Sequence, residues 1–167
     1  MQVKDILTSN VKSCRKGESC REAARILWEN DCGCAPVVDG EGKVIAMITD
    51  RDICMAAYFQ GKPLHEIPVE LAMSRELWTC SPDDPLAAAE RTLQTRQVRR
   101  LPVVDGSRRL RGVVSLSDIA RALTPVGAAK NGTTSVEVSE TLAAICRPHG
   151  QDGEPPTAEM QRPARGG

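Results

Sequence analysis

The chain reads as an α+β protein: two β-α-β-β-α repeats packed as a pseudo-twofold pair, followed by a C-terminal tail. Two observations lead there. Residues 3–57 recur at 69–123 with a constant offset of 66 and no gap. In the clearest stretch Ala35-Pro36-Val37-Val38-Asp39-Gly40 returns as Leu101-Pro102-Val103-Val104-Asp105-Gly106. Within each copy, short apolar runs alternate with segments of helical spacing. An internal repeat constrains architecture more than any single motif does. A unit of about 60 residues buries too little surface to be stable alone, so the two copies are expected to share a core.

Taken in order, Val11 to Cys14 is a weak first strand. Ser19 and Glu22 have the spacing of a capping box, and Ala23, Ile26 and Leu27 continue a helix from it. Asn30-Asp31-Cys32-Gly33 ends that helix. Pro36–Val38 and Val44–Ile48 are strands, joined as a hairpin by Asp39-Gly40-Glu41-Gly42. Thr49 or Asp50 then caps a second helix through Ile53 and Tyr58. The second copy repeats this order: a strand near Leu77–Cys80, a turn at Ser81–Asp84, and a helix with Asp84 as cap and Pro85 in its first position. Strands at Leu101–Val104 and Leu110–Val114 follow, with a last helix after Ser115.

The predicted organisation is a first repeat over 1–60, a linker over 61–68, a second repeat over 69–124 and a largely disordered tail over 125–167. The tail is rich in Gly, Pro, Thr and Ser, which argues against a packed core. Within it, Thr141 to Cys146 has the apolar content for a short docked helix.

Composition excludes several classes. Lys plus Arg and Asp plus Glu both number 22, so the formal net charge is zero and general polyanion binding is not implied. Two Trp, one Tyr and one Phe are too few for base-stacking platforms, so no nucleic acid is expected. No apolar run reaches membrane length, and the opening residues lack the apolar core of a signal peptide. Seven cysteines, an odd count without an export signal, suit reduced thiols in a cytoplasmic protein. Arginine is uneven: Arg91, Arg96, Arg99, Arg100, Arg108, Arg109, Arg111 and Arg121 all fall in the second repeat. They form a solvated basic face, or some of them meet an anionic ligand or acidic partner. Phosphate-binding loops, dinucleotide fingerprints, nucleophile elbows and zinc-protease motifs are missing, so no enzyme is predicted.

The chemistry concentrates at Thr49-x-x-Asp52 and Ser115-x-x-Asp118. Each sets a hydroxyl and a carboxylate at the end of an apolar strand and the start of a helix. Plain N-capping accounts for either one alone. Recurrence after matched Pro-Val-Val-Asp-Gly hairpins favours more. A carboxylate there can accept both hydroxyls of a ribose, and a helix N-terminus can hold a phosphate.

This arrangement resembles the cystathionine β-synthase (CBS) domain in its tandem form, over residues 3–124. The opening Val3 to Val11 also looks like that family's lead-in. The resemblance implies two repeats joined through their sheets, with two clefts between them that take adenosine derivatives. AMP, ADP or ATP are expected, with S-adenosylmethionine, NAD(H) and cyclic dinucleotides as possibilities, and no required cofactor. Carried over by position, Asp52 and Asp118 bind ribose, and Thr49 and Ser115 bind ribose or phosphate oxygens. Arg99, Arg100 and Arg51 meet phosphate. Thr8, Asn10, Val11 and Leu77 line the adenine slot, although Val11 and Leu77 also suit simple core. Arg99 and Arg100 correspond to Gly33 and Cys34 in the first repeat, so the clefts are expected to differ in strength. The resemblance further implies a homodimer and a regulatory role exerted on a protein partner in trans. Two other functions fit the residues: a ligand-free dimerisation scaffold, and a metal or redox sensor built on Cys32 and Cys34. That pair also reads as a tight turn of small residues.

Overall fold

The structure, a computed structural model, describes residues 1–122 and 135–145. In the first repeat β1 (Cys14–Arg15) is followed by α1 (Cys20–Glu29), β2 (Cys34–Val38), β3 (Val44–Thr49) and α2 (Asp50–Gln60). A 3₁₀ turn at Leu64–Glu66 and the short α3 (Val69–Ala72) lead into the second repeat. There α4 (Leu86–Arg96), β4 (Arg100–Val104), β5 (Leu110–Ser115) and α5 (Leu116–Ala122) restate the order. The last described element is α6 (Ser135–Ile145).

β1 runs parallel to β2, which pairs antiparallel with β3. β4 and β5 pair antiparallel as a separate two-stranded sheet. The hairpins slip register at the same place, Val37/Val38 and Val103/Val104, so the repeat extends to its irregularities. The predicted strand near Leu77–Cys80 shrinks to one parallel bridge, Cys80 to Val103, held by Cys80 N–H to Pro102 O and Val104 N–H to Cys80 O.

Two predicted caps differ from those found. Ser19 is the residue before α1, but its side chain makes no cap bond, and its backbone pairs with Pro68 instead. Asp84 accepts from the Ser81 N–H at 2.7 Å and so closes the turn, leaving Pro85 as the residue that precedes α4. Thr49 does cap α2, in a full capping box with Asp52. Gly61 ends that helix in the left-handed region, at φ +60°, which costs glycine little.

Each repeat carries its own core. Leu27, Val37, Ile48 and Ile53 anchor the first, and Leu86, Leu93, Leu101 and Ile119 the second. A third cluster of Val38, Val44 and Val104, with Leu77 and Leu110 against it, fills the seam between the sheets. The lead-in of each repeat lies on the other repeat. Thr8 exchanges backbone bonds with Val113, and Val3 is fully buried in the second core. Ser74 donates its N–H to Met47 O, and its hydroxyl accepts from Met47 N–H. Two small units thereby share what each lacks alone.

The stretch expected as a largely disordered tail contains α6, which starts before the predicted helix at Thr141. Its Ile145 is buried in the second core, and apolar contact with α4 and α5 holds it there. The remainder of the predicted tail, with Cys146, lies outside the described residues. The predicted linker is also structured: Ile67 is 1% exposed and packs into the first core.

Candidate functional site

Two clefts flank the seam. One lies at the start of α2 and holds Thr49, Arg51, Asp52, Arg99 and Arg100, in a cavity of about 420 Å³. The other lies at the start of α5 and holds Thr8, Asn10, Val11, Ser115 and Asp118, again with Arg99 and Arg100, in about 570 Å³. The two arginines therefore stand in the wall between both clefts. The crossing lead-ins explain this assembly: each cleft takes its helix start from one repeat and residues before β2 or β4 from the other.

The helix starts share one geometry. Asp52 Oδ2 accepts from the Thr49 N–H at 2.9 Å and the Thr49 hydroxyl at 2.7 Å. Asp118 Oδ2 accepts from the Ser115 N–H at 2.7 Å and the Ser115 hydroxyl at 2.5 Å. Capping and ligand binding are thus compatible, because a cap uses only one carboxylate oxygen.

The second oxygens differ. Asp118 Oδ1 accepts from the Thr8 hydroxyl at 3.0 Å and from the Arg121 guanidinium, and the residue is 4% exposed. Asp52 Oδ1 accepts no hydrogen bond among the described residues, and Asp52 is only half-buried beside open cleft. A buried carboxylate needs its partners, whereas a half-buried one can exchange water for a ligand.

Leu77 was expected in the adenine slot, but it lines neither cleft and packs against the seam valines. One position along the extended lead-in, Trp78 faces the Asp52 cleft instead, because neighbouring side chains on extended backbone point opposite ways. The Arg96 guanidinium stacks 3.7 Å from the Trp78 ring centre and fixes it. Sequence reasoning also missed Ser74, Asp50 and Gln97 in this cleft, and Lys12, Asp31 and Arg121 in the other. Ser74 was reachable, since it is Thr8 shifted by the repeat offset.

Cys34 is buried, and burial pushes its thiol pKa up, opposed by a hydrogen bond and charge from Arg100. Cys32 is exposed. No three His, Cys, Asp or Glu side chains gather as a metal site among the described residues. Nor is any described helix long and apolar enough to cross a membrane.

The CBS domain model matches residues 3–58 and 66–125, and the chain belongs to the CBS domain family as a tandem pair. It is 36% identical over 118 residues to CBS domain-containing protein YhcV of Bacillus subtilis, covering 71% of this chain and 82% of that protein. It is 30% identical over 121 residues to a homoserine O-acetyltransferase of Methanohalobium evestigatum, covering 72% of this chain. The match spans only 24% of that enzyme's length. Among solved structures, the CBS domain pair of protein MJ0100 in complex with 5′-methylthioadenosine and S-adenosyl-L-methionine superposes with a TM-score of 0.65 at 32% identity. That match covers 72% of this chain and 94% of that one.

Proposed function

We propose that this CBS domain pair is a non-catalytic regulatory module that binds an adenine nucleotide at Asp52 and acts in trans on a protein partner. The observation that carries the choice of cleft is the open Oδ1 of Asp52, set against the fully engaged Asp118. Asp52 accepts the ribose hydroxyls, Trp78 offers an aromatic wall to the base, and Arg51, Arg99 and Arg100 face the phosphates. Guanidinium groups pair well with phosphate oxygens, which favours AMP, ADP or ATP over an uncharged nucleoside. The adenosine-type ligands of the MJ0100 domain pair support this ligand class.

A ligand here would touch both repeats, because the cleft joins the start of α2 to residues before β4. Binding then favours whichever arrangement of the repeats closes on it, and the chain, acting as a homodimer, passes that shift to its partner. A thermal-shift panel of AMP, ADP, ATP, S-adenosylmethionine, NADH and cyclic di-AMP tests the reading. A ligand at about 100 times its dissociation constant raises stability by roughly 2.7 kcal/mol. No shift with any of them would favour a ligand-free scaffold.

A further inference from the structure

Cys34 and Arg100 occupy the same position of the two repeats, one offset of 66 apart, and the pseudo-twofold arrangement brings them together. Arg100 donates a hydrogen bond to the Cys34 sulfur, and both residues line both clefts. Cys34 opens β2 and pairs with Thr49, whose hydroxyl caps α2 at the Asp52 cleft. The thiol thus touches the guanidinium, and its backbone meets the strand end, from which the proposed nucleotide site is built.

A second thiol stands two residues away. Cys32 is exposed whereas Cys34 is buried, and the two share the wall of the Asp118 cleft. The chain bends at Gly33 between them. A Cβ on Gly33 would lie 3.6 Å from Asp50 Oδ2 and 3.7 Å from Arg100 Nη1, so the bend is packed against the arginine. Cα atoms two residues apart across a bend fall within the roughly 4.4–6.8 Å that a disulfide spans. An exposed cysteine beside a buried one also suits the two steps of thiol oxidation: the first meets the oxidant and the second resolves the product. Burial pushes the Cys34 thiol pKa up, and the charge of Arg100 opposes this, easing loss of the proton when the sulfur reacts. The second repeat has Val98 and Arg100 at the matching positions, so the thiol pair belongs to the first repeat alone.

We propose that Cys32 and Cys34 form a modification site, oxidised by hydrogen peroxide to an intramolecular disulfide that withdraws Cys34 from Arg100 and weakens nucleotide binding. The Cys32 thiolate attacks one peroxide oxygen, the O–O bond breaks, and the departing hydroxide takes up a proton and leaves as water. Cys32 is then a sulfenic acid. The Cys34 sulfur attacks the Cys32 sulfur, the S–O bond breaks, and the hydroxyl leaves with the Cys34 proton as a second water. Two thiols lose two electrons, and one peroxide gains them. A small dithiol reverses the step by exchange. Arg100, deprived of its sulfur acceptor, is no longer fixed between the clefts. The effect on nucleotide rests on the reading above, whereas the disulfide does not.

Peptide mapping by mass spectrometry tests the site, on the full chain reduced and then treated with stoichiometric hydrogen peroxide. Free thiols are alkylated in denaturant before digestion. The peptide holding Cys32 and Cys34 is expected to lose two hydrogens and to carry no alkyl group, and dithiothreitol is expected to restore both thiols. Oxidised wild type should bind AMP about tenfold more weakly than reduced wild type, the loss of one charged hydrogen bond, with adenosine unchanged. Peroxide-treated Cys32→Ser should keep the AMP affinity of the untreated variant. Free thiols after peroxide, a link from Cys32 to Cys54 or to another copy, or a disulfide that leaves AMP affinity unchanged would overturn the proposal. Reduced wild type that fails to bind AMP would count against the nucleotide reading alone, and the mapped disulfide would still decide the site.

Discussion

Thr8 Oγ1 donates a 3.0 Å hydrogen bond to Asp118 Oδ1 across 110 residues of chain. The first repeat's lead-in is thereby fastened to the second repeat's last helix. Its counterpart Ser74 is fastened to Met47 of the first repeat. This exchange builds both clefts, and in one of them it engages the second carboxylate oxygen of Asp118.

The exchange depends on Gly112. A Cβ there would come within 2.5 Å of both Leu7 Cδ1 and the Thr8 carbonyl oxygen. Gly112→Ala must push the lead-in off β5 and is expected to cost about 1–3 kcal/mol. Gly40→Ala, where a Cβ meets open space, is the control and should be near neutral. Urea midpoints of the two variants measure the difference.

Burial pushes the Cys14 thiol up to about 11 and the Cys80 thiol up to about 12, from 9.0 in the unfolded chain. The fold therefore favours the neutral thiols. Stability is intact below pH 9 and declines as pH rises through about 11 and 12. Neither thiol should react with an alkylating reagent at pH 8 until the chain unfolds, as peptide mapping by mass spectrometry would show. Thermal melts between pH 8 and pH 11 should fall, and Cys14→Ala with Cys80→Ala should flatten that fall.

The 66-residue offset made most of the fold legible, because repetition turns two weak strand patterns into one strong statement. The hairpins, the α2 cap and the paired hydroxyl–carboxylate starts were all readable from it. What escaped depended on contacts between distant segments. Ser19 has the letters of a capping box, yet backbone pairing with Pro68 takes over that end of α1. Leu77 and Trp78 could not be sorted without the seam, which claims the leucine and leaves the tryptophan to the cleft. Unequal clefts are expected from Arg99 and Arg100, which stand where the first repeat has Gly33 and Cys34. The different engagement of the two aspartates, with Arg121 and Thr8 on Asp118, depends on tertiary contacts.

Arg100 lies in the wall of both clefts and reaches toward Gly33 of the first repeat. Arg100→Gln should weaken AMP and ATP about tenfold while leaving adenosine nearly unchanged, since a charged hydrogen bond contributes roughly 1.5–3 kcal/mol. Fluorescence titration of Trp78, with Trp28 replaced by Phe, would follow both ligands. Equal losses for nucleotide and nucleoside would place Arg100 outside the phosphate contact.

Calorimetric titration of AMP into the wild type, Asp52→Asn and Asp118→Asn addresses the central claim most directly. Asp52→Asn should weaken binding about tenfold or more, because it removes the charge that accepts the ribose hydroxyls. Asp118→Asn should bind AMP much as the wild type does but melt at a lower temperature, having lost the buried partner of Arg121. Binding lost in Asp118→Asn and kept in Asp52→Asn would contradict the assignment and place the nucleotide in the other cleft.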